Sequence, residues 1–139
     1  MQVRGPEAFE AGLKEAQATL SAAGRSTAAN EIHQALMDLS KRPDSDLTGA
    51  LQHALAALEC VARDVTGDPK ATLGAILGRS KTLLPPPMND AAEKLWGFAS
   101  EQGRHLREGR APALEEVELA VHTAAALATY LSRKVSRGV

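Results

Sequence analysis

The sequence "LTGALQHALAALECVARDVT", residues 47–66, decides the fold class of this 139-residue chain. Its apolar residues recur at intervals of three or four, which is the period of an amphipathic α-helix. These residues are Leu47, Leu51, Ala54, Leu55, Leu58, Val61, Ala62 and Val65. Asp46 is a favourable N-cap before the stretch, and Gly67 is a favourable C-cap after it. We therefore predict a helix over residues 47–66 with both ends defined.

The helical period continues on both sides of this stretch, and no segment has the alternation typical of a strand. Further helices are predicted from about Pro6 to Gly24, from Ser26 or Thr27 to the turn at 41–46, from Asp68 to about Gly78, from Asn89 or Asp90 to about Ser100, and from Pro112 to about Val135. The chain is therefore predicted to be a single all-α domain over residues 1–139. We expect a bundle of five to six helices, with two long antiparallel helices and shorter ones packed around them.

The composition excludes several classes of function. The chain is 44% hydrophobic but only 3% aromatic, a mixture that favours closely packed helices over sheets. Its net charge of −1 gives no overall field for nucleic acid, so contact with a polyanion requires a local basic cluster. We expect a cytoplasmic protein without a membrane segment, because no apolar run is long enough and the single cysteine, Cys60, cannot form an internal disulfide. Since metal-ligand spacings and nucleotide-binding motifs are missing, we expect no metal and no other cofactor.

The last predicted helix contains a dense run of small residues, "HTAAALATYL" at 122–131. A helix that is apolar on several sides is usually buried on several sides, which predicts a homodimer that uses this helix or its neighbour. The alternative is that alanine fills exposed positions because of its high helix propensity.

The strongest candidate site lies in "LWGFASEQGRHLREGRAP", residues 95–112, which we predict to link two helices. Its polar members are Gly103, Arg104, His105, Arg107 and Arg110. Gly103 allows a positive φ, the guanidinium of Arg104 suits a phosphate, and His105 titrates near neutral pH. The pattern predicts an anion site, while the alternative is a solvated loop whose arginines form weak surface ion pairs.

A second polar group is predicted on the helix at 47–66, where Gln52, Glu59 and Arg63 share one face. The simple interpretation is an ion pair between Glu59 and Arg63, four residues apart. The alternative is that this face meets Arg104 and His105, with Glu59 orienting one of them. Trp96 is interpreted as a core anchor, although stacking on a nucleobase is also open.

The segments "ALQHALAALECVARDVTGDPKATLG" (50–74) and "AAEKLWGFASEQGRHLREG" (91–109) resemble the all-helical HEPN superfamily. Within that superfamily they are most similar to domains at the C-termini of abortive-infection and related prokaryotic defence proteins. The matching residues are Glu59 and Arg63, Thr72 to Gly74, Trp96 to Ser100, and Gly103 to His105. The resemblance covers residues 47–134 as a HEPN-like core, and residues 1–45 add a two-helix N-terminal extension.

The resemblance implies a homodimeric defence or toxin module that acts on RNA without a metal. In active members of the superfamily an Arg holds the scissile phosphate and a His assists attack by the ribose 2′-OH, which assigns these roles here to Arg104 and His105. Glu59, Arg63, Gly103, Arg107 and Arg110 are then binding residues.

This chain departs from that pattern, because the usual spacing places the His at 109–111, where it has Gly, Arg and Ala. Cleavage of RNA and binding without cleavage are therefore both open, with a protein partner such as an antitoxin also possible. The alternative is a non-catalytic helical dimer that serves as a protein- or nucleotide-binding scaffold.

Overall fold

The computed structural model describes the backbone of residues 7–109 and 113–138, and the side chains of 9–102, 108–109 and 113–134. Within these residues the chain forms six helices and no strand. The helices are α1 (Glu7–Ala22), α2 (Ser26–Ser40), α3 (Leu47–Thr66), α4 (Leu73–Arg79), α5 (Met88–Arg107) and α6 (Leu114–Gly138). The prediction of an all-α bundle is confirmed. None of the described helices is both long and apolar enough to cross a bilayer.

The bounds predicted for α3 are confirmed at both ends. The side chain of Asp46 accepts a hydrogen bond from the backbone N–H of Gly49 at 2.8 Å, as an N-cap does. Gly67 has a φ of 73°, and its N–H bonds back to the carbonyl of Arg63. A left-handed residue at this position ends the helix, and glycine adopts that conformation without steric cost.

The core lies where α3 packs against both α2 and α6, and where α1 closes over α2 and α6. Alanines such as Ala50, Ala54 and Ala57 are fully buried on α3, so the neighbouring helices approach its backbone closely. Larger side chains fill the remaining space, and burying one such leucine contributes about 1.5–3 kcal/mol. Residues from α1 and α2, including Leu13 and Ile32, belong to the same continuous core.

The small residues of α6 pack mostly within a single chain. Ala124, Ala125 and Ala128 are buried, and α6 contacts α1, α3 and α5. The density of alanine is therefore largely explained without a second subunit. What remains on the outside of α6 is a narrow strip that includes Leu119, Ala126 and Tyr130.

Helix α2 begins at Ser26, within the predicted start at Ser26 or Thr27, although its N-cap residue is Arg25 and no side chain caps it. Two other predicted helix starts were wrong. Helix α4 begins at Leu73 rather than near Asp68, because the Thr72 side chain accepts the N–H of Ala75 and defines the start. Helix α5 begins at Met88, just before the predicted cap.

Candidate functional site

Helix α5 continues to Arg107, so the prediction of a loop over residues 103–107 is wrong. Gly103 lies inside the helix, where it does not supply the positive φ that we expected. That conformation belongs instead to Gly109, whose φ is 85°, just after the helix ends. The physical reason is helix propensity: Glu, Gln, Arg and Leu surround Gly103, and one glycine costs only about 1 kcal/mol.

Several of the predicted site residues lie outside the described part of the structure. These are the side chains of Arg104, His105 and Arg107, together with the whole of Arg110. Their assigned roles in phosphate binding and catalysis therefore stay predictions. For the first three, the structure establishes the helical backbone that carries them.

Glu59 and Arg63 form the predicted ion pair and also hold the segment between α3 and α4. One carboxylate oxygen of Glu59 lies 3.2 Å from Nη2 of Arg63. The other accepts the backbone N–H of Leu73 at 2.7 Å. Nε of Arg63 donates to the carbonyl of Ala71, also at 2.7 Å.

These bonds give both side chains a structural role that the sequence did not predict. The N–H of Leu73 is one of the unpaired donors in the first turn of α4, and the carboxylate of Glu59 satisfies it. The helix N-terminus and Arg63 together stabilise the negative charge of Glu59. The only sequence signal for this contact was the capping Thr72 before Leu73.

Trp96 packs its indole against Gly74 of α4. A Cβ atom built on Gly74 would lie 2.6 Å from Nε1 of Trp96, a separation that real structures do not tolerate. The absence of a side chain at Gly74 therefore allows the two helices to meet here. The interpretation of Trp96 as an anchor agrees with this contact, although it anchors α5 to α4 rather than to the following segment.

An open groove of about 350 Å³ lies between α3 and α5. Its lining residues are Thr48, Leu51, Gln52, Leu55, Ala56 and Glu59 from α3, and Trp96, Ala99, Ser100 and Gln102 from α5. Trp96 adjoins α4 and therefore marks the end of the groove near Glu59. From there α5 continues through Ser100 and Gln102 directly into residues 103–107. Residue 104 follows Trp96 by eight positions, about 12 Å along the helix axis.

His53 does not approach this groove, since it contacts α2 on a different side of α3. Its Nδ1 lies 2.6 Å from a carboxylate oxygen of Glu31, and its Nε2 lies 3.7 Å from Oδ2 of Asp38. Burial raises the pKa of Asp38, and the nearby charge of Asp46 raises it further. Among the described side chains, no three histidine, cysteine, aspartate or glutamate residues converge as metal ligands would.

Comparisons with protein-family models, with curated proteins and with solved structures give no match to this chain. The features that bear on function are the groove between α3 and α5 and the basic residues that follow its α5 wall in sequence.

Proposed function

We propose that this protein is a HEPN-like defence module that binds RNA through the C-terminal part of α5 and the residues that follow it in sequence. Arg104, His105, Arg107 and Arg110 supply the phosphate contacts. The observation that carries the proposal is the continuity of α5, whose groove-lining part passes without a break into residues 103–107. Positions 104 and 107 therefore follow Gln102 of the groove within two turns of the same helix.

The proposed activity is binding of RNA without cleavage, and cleavage of RNA is the alternative that an assay can detect. Glu59 and Arg63 are bonded to each other and to the start of α4, which gives both side chains a structural role. The sequence also has no histidine at 109–111. Arginine alone is well suited to hold a phosphate by paired hydrogen bonds.

The test is the affinity for a short single-stranded RNA, measured by fluorescence anisotropy in EDTA over a range of salt concentrations. Arg104→Ala should weaken binding about fivefold or more and lower the salt dependence by about one phosphate contact. Lys14→Ala is the matched control, because it removes one exposed positive charge from α1, which has no residue in the groove. It should bind like the wild type.

Two results would change the proposal. Equal affinity of the wild type and Arg104→Ala would show that the basic segment of α5 is not the RNA site. Metal-independent cleavage that leaves cyclic phosphate ends, and that disappears in His105→Ala, would make the protein a ribonuclease instead of a binder.

The proposed module is also a homodimer, which uses the exposed strip of α6. This strip exposes two large hydrophobic side chains, since Leu119 is 70% exposed and Tyr130 is 38% exposed. An antiparallel pair of α6 helices centred on Ala126 would set Glu118 of one subunit against Lys134 of the other. This pairing of an acidic with a basic residue would occur twice, a self-complementary arrangement that suits a two-fold dimer.

Sedimentation of the wild type and of Leu119→Glu tests the dimer. Leu119→Glu should convert the dimer to a monomer. Met37→Glu changes an exposed apolar residue on α2 and should leave the sedimenting species a dimer. A wild-type protein that sediments as a monomer at high micromolar concentration would contradict the dimer and leave the RNA proposal intact.

A further inference from the structure

We infer that the groove between α3 and α5 is a pocket for one unstacked nucleobase of a single-stranded RNA. This inference rests on the proposed function and adds the kind of ligand group that the groove receives. The basic segment of α5 holds the backbone, and the groove holds a base.

The walls of the groove are apolar, as the faces of an aromatic base require. Leu51, Leu55, Ala56 and Ala99 give it an apolar lining, and Trp96 adds an aromatic residue. Because Ala56 and Ala99 are small, the two helices leave an open slot between them. A volume of about 350 Å³ is within the range of pockets that receive small molecules.

The rim of the groove has the hydrogen-bonding groups that a base edge requires. Gln52 and Gln102 each present an amide with donors and an acceptor, and neither amide is bonded to the described part of the chain. The hydroxyl of Ser100 donates to the carbonyl of Trp96 at 3.1 Å, so its oxygen remains an acceptor. These groups lie beside an apolar surface, as in sites that stack and read single-stranded RNA.

The distribution of charged residues favours different binding positions for the base and for the phosphate. Among the described residues of the lining, Glu59 alone is ionisable, and Arg63 and the N–H of Leu73 compensate its charge. This described part of the lining suits an uncharged base and contains no cation for a phosphate. The cations follow in sequence at 104, 107 and 110, at and beyond the end of α5. A duplex would not fit this arrangement, because its bases are stacked on one another.

The test compares a single-stranded RNA with an oligonucleotide of the same length and charge that lacks bases. The wild type should bind the RNA at least fivefold more tightly, because stacking of one base contributes about 1–3 kcal/mol. Ala56→Leu and Ala99→Leu should each remove this preference by filling the slot, without changing the affinity for the abasic strand. Ala91→Leu is the matched control, since Ala91 is exposed on α5 and does not line the groove.

Trp96 gives a second readout, because it is the only tryptophan of the chain. Its fluorescence should change when the RNA binds to the wild type, and should not change with the abasic strand or with Ala56→Leu. Thermal unfolding of each variant verifies that it is folded, and the two filling variants act independently.

The outcomes distinguish the two proposals. If the RNA and the abasic strand bind equally well to the wild type and both weaken in Arg104→Ala, the base pocket is wrong and the RNA site stands. Equal binding of a duplex and a single strand would also overturn the pocket. If neither strand binds, both proposals fail.

Discussion

Helix α3 is packed in different ways on its two sides. Toward α2 and α6 it is closed, with Ala50, Ala54 and Leu58 almost completely buried. Toward α5 the same helix leaves an open groove, and Gln52, Ala56 and Glu59 keep part of their surface accessible. One helix thus provides both the centre of the core and one wall of the candidate site.

The difference has a structural cause in α4. Trp96 attaches α5 to Gly74 of α4, and Glu59 and Arg63 attach the start of α4 to α3. Helix α5 is therefore positioned through α4 as well as by direct contact with α3. A binding groove can remain open in this arrangement, because these contacts hold its second wall from one end of the groove, where Trp96 and Glu59 lie.

The largest expected change in the free energy of unfolding comes from truncating a leucine of α3, and two leucines allow the closed side and the groove side to be compared. Leu58 is 2% exposed and lies outside the groove, so Leu58→Ala should lower the free energy of unfolding by about 3–5 kcal/mol. Leu55 lines the groove, where water can enter the space left by a truncation. Leu55→Ala should therefore cost roughly 2 kcal/mol, near the lower limit for such changes. Urea denaturation measures both values.

Equal losses for the two variants would break the comparison, because they would mean that the groove side is as tightly packed as the core. A larger loss for Leu55→Ala would mean that this side carries more of the stability than the closed side does.

An intermediate effect is expected at the contact that holds α5. Gly74→Ala places a Cβ against the indole of Trp96 and should destabilise the protein by about 1–3 kcal/mol. Gly78→Ala on the same helix meets nothing within 4 Å, and should stabilise it by about 0.5–1 kcal/mol because alanine favours the helix. Thermal unfolding should give Tm shifts of opposite sign. The same sign for both would argue against Gly74 as the point of attachment.

The sequence predicted those features that depend on neighbours along the chain. The bounds of α3 were correct because its apolar period and both caps, Asp46 and Gly67, are local signals. The extent of α5 is local information as well, because the helix-forming residues around Gly103 carry the helix past the predicted end near Ser100.

The contacts between helices could not be predicted in the same way. Glu59 meets Leu73, Trp96 meets Gly74, and each pair depends on how α4 docks. The small residues of α6 predicted close packing, but a single sequence does not say whether the partner helix belongs to the same chain. The side-chain positions of Arg104 and His105 stay predictions.

The smallest expected change in stability concerns a buried carboxyl group, that of Asp38, on the closed side of α3. Oδ2 of Asp38 is buried between α2 and α3, where no described residue forms a hydrogen bond with it. Burial together with Asp46 raises the pKa of this carboxyl above its usual 3.8. The folded protein therefore holds this proton more tightly than the unfolded chain does. As the pH rises through the window between the two pKa values, the unfolded state loses its proton first, and the free energy of unfolding decreases.

Asp38→Asn removes this titration and should raise the free energy of unfolding at pH 7 by roughly 0.5 kcal/mol, with less gain at pH 3. Asp44→Asn is the matched control, because Asp44 is exposed and loses the same charge without the burial. Chemical denaturation of the three proteins across this pH range measures the difference. A gain that is the same at both pH values, or that Asp44→Asn reproduces, would mean that ionisation of the buried carboxyl does not weaken the closed side of α3.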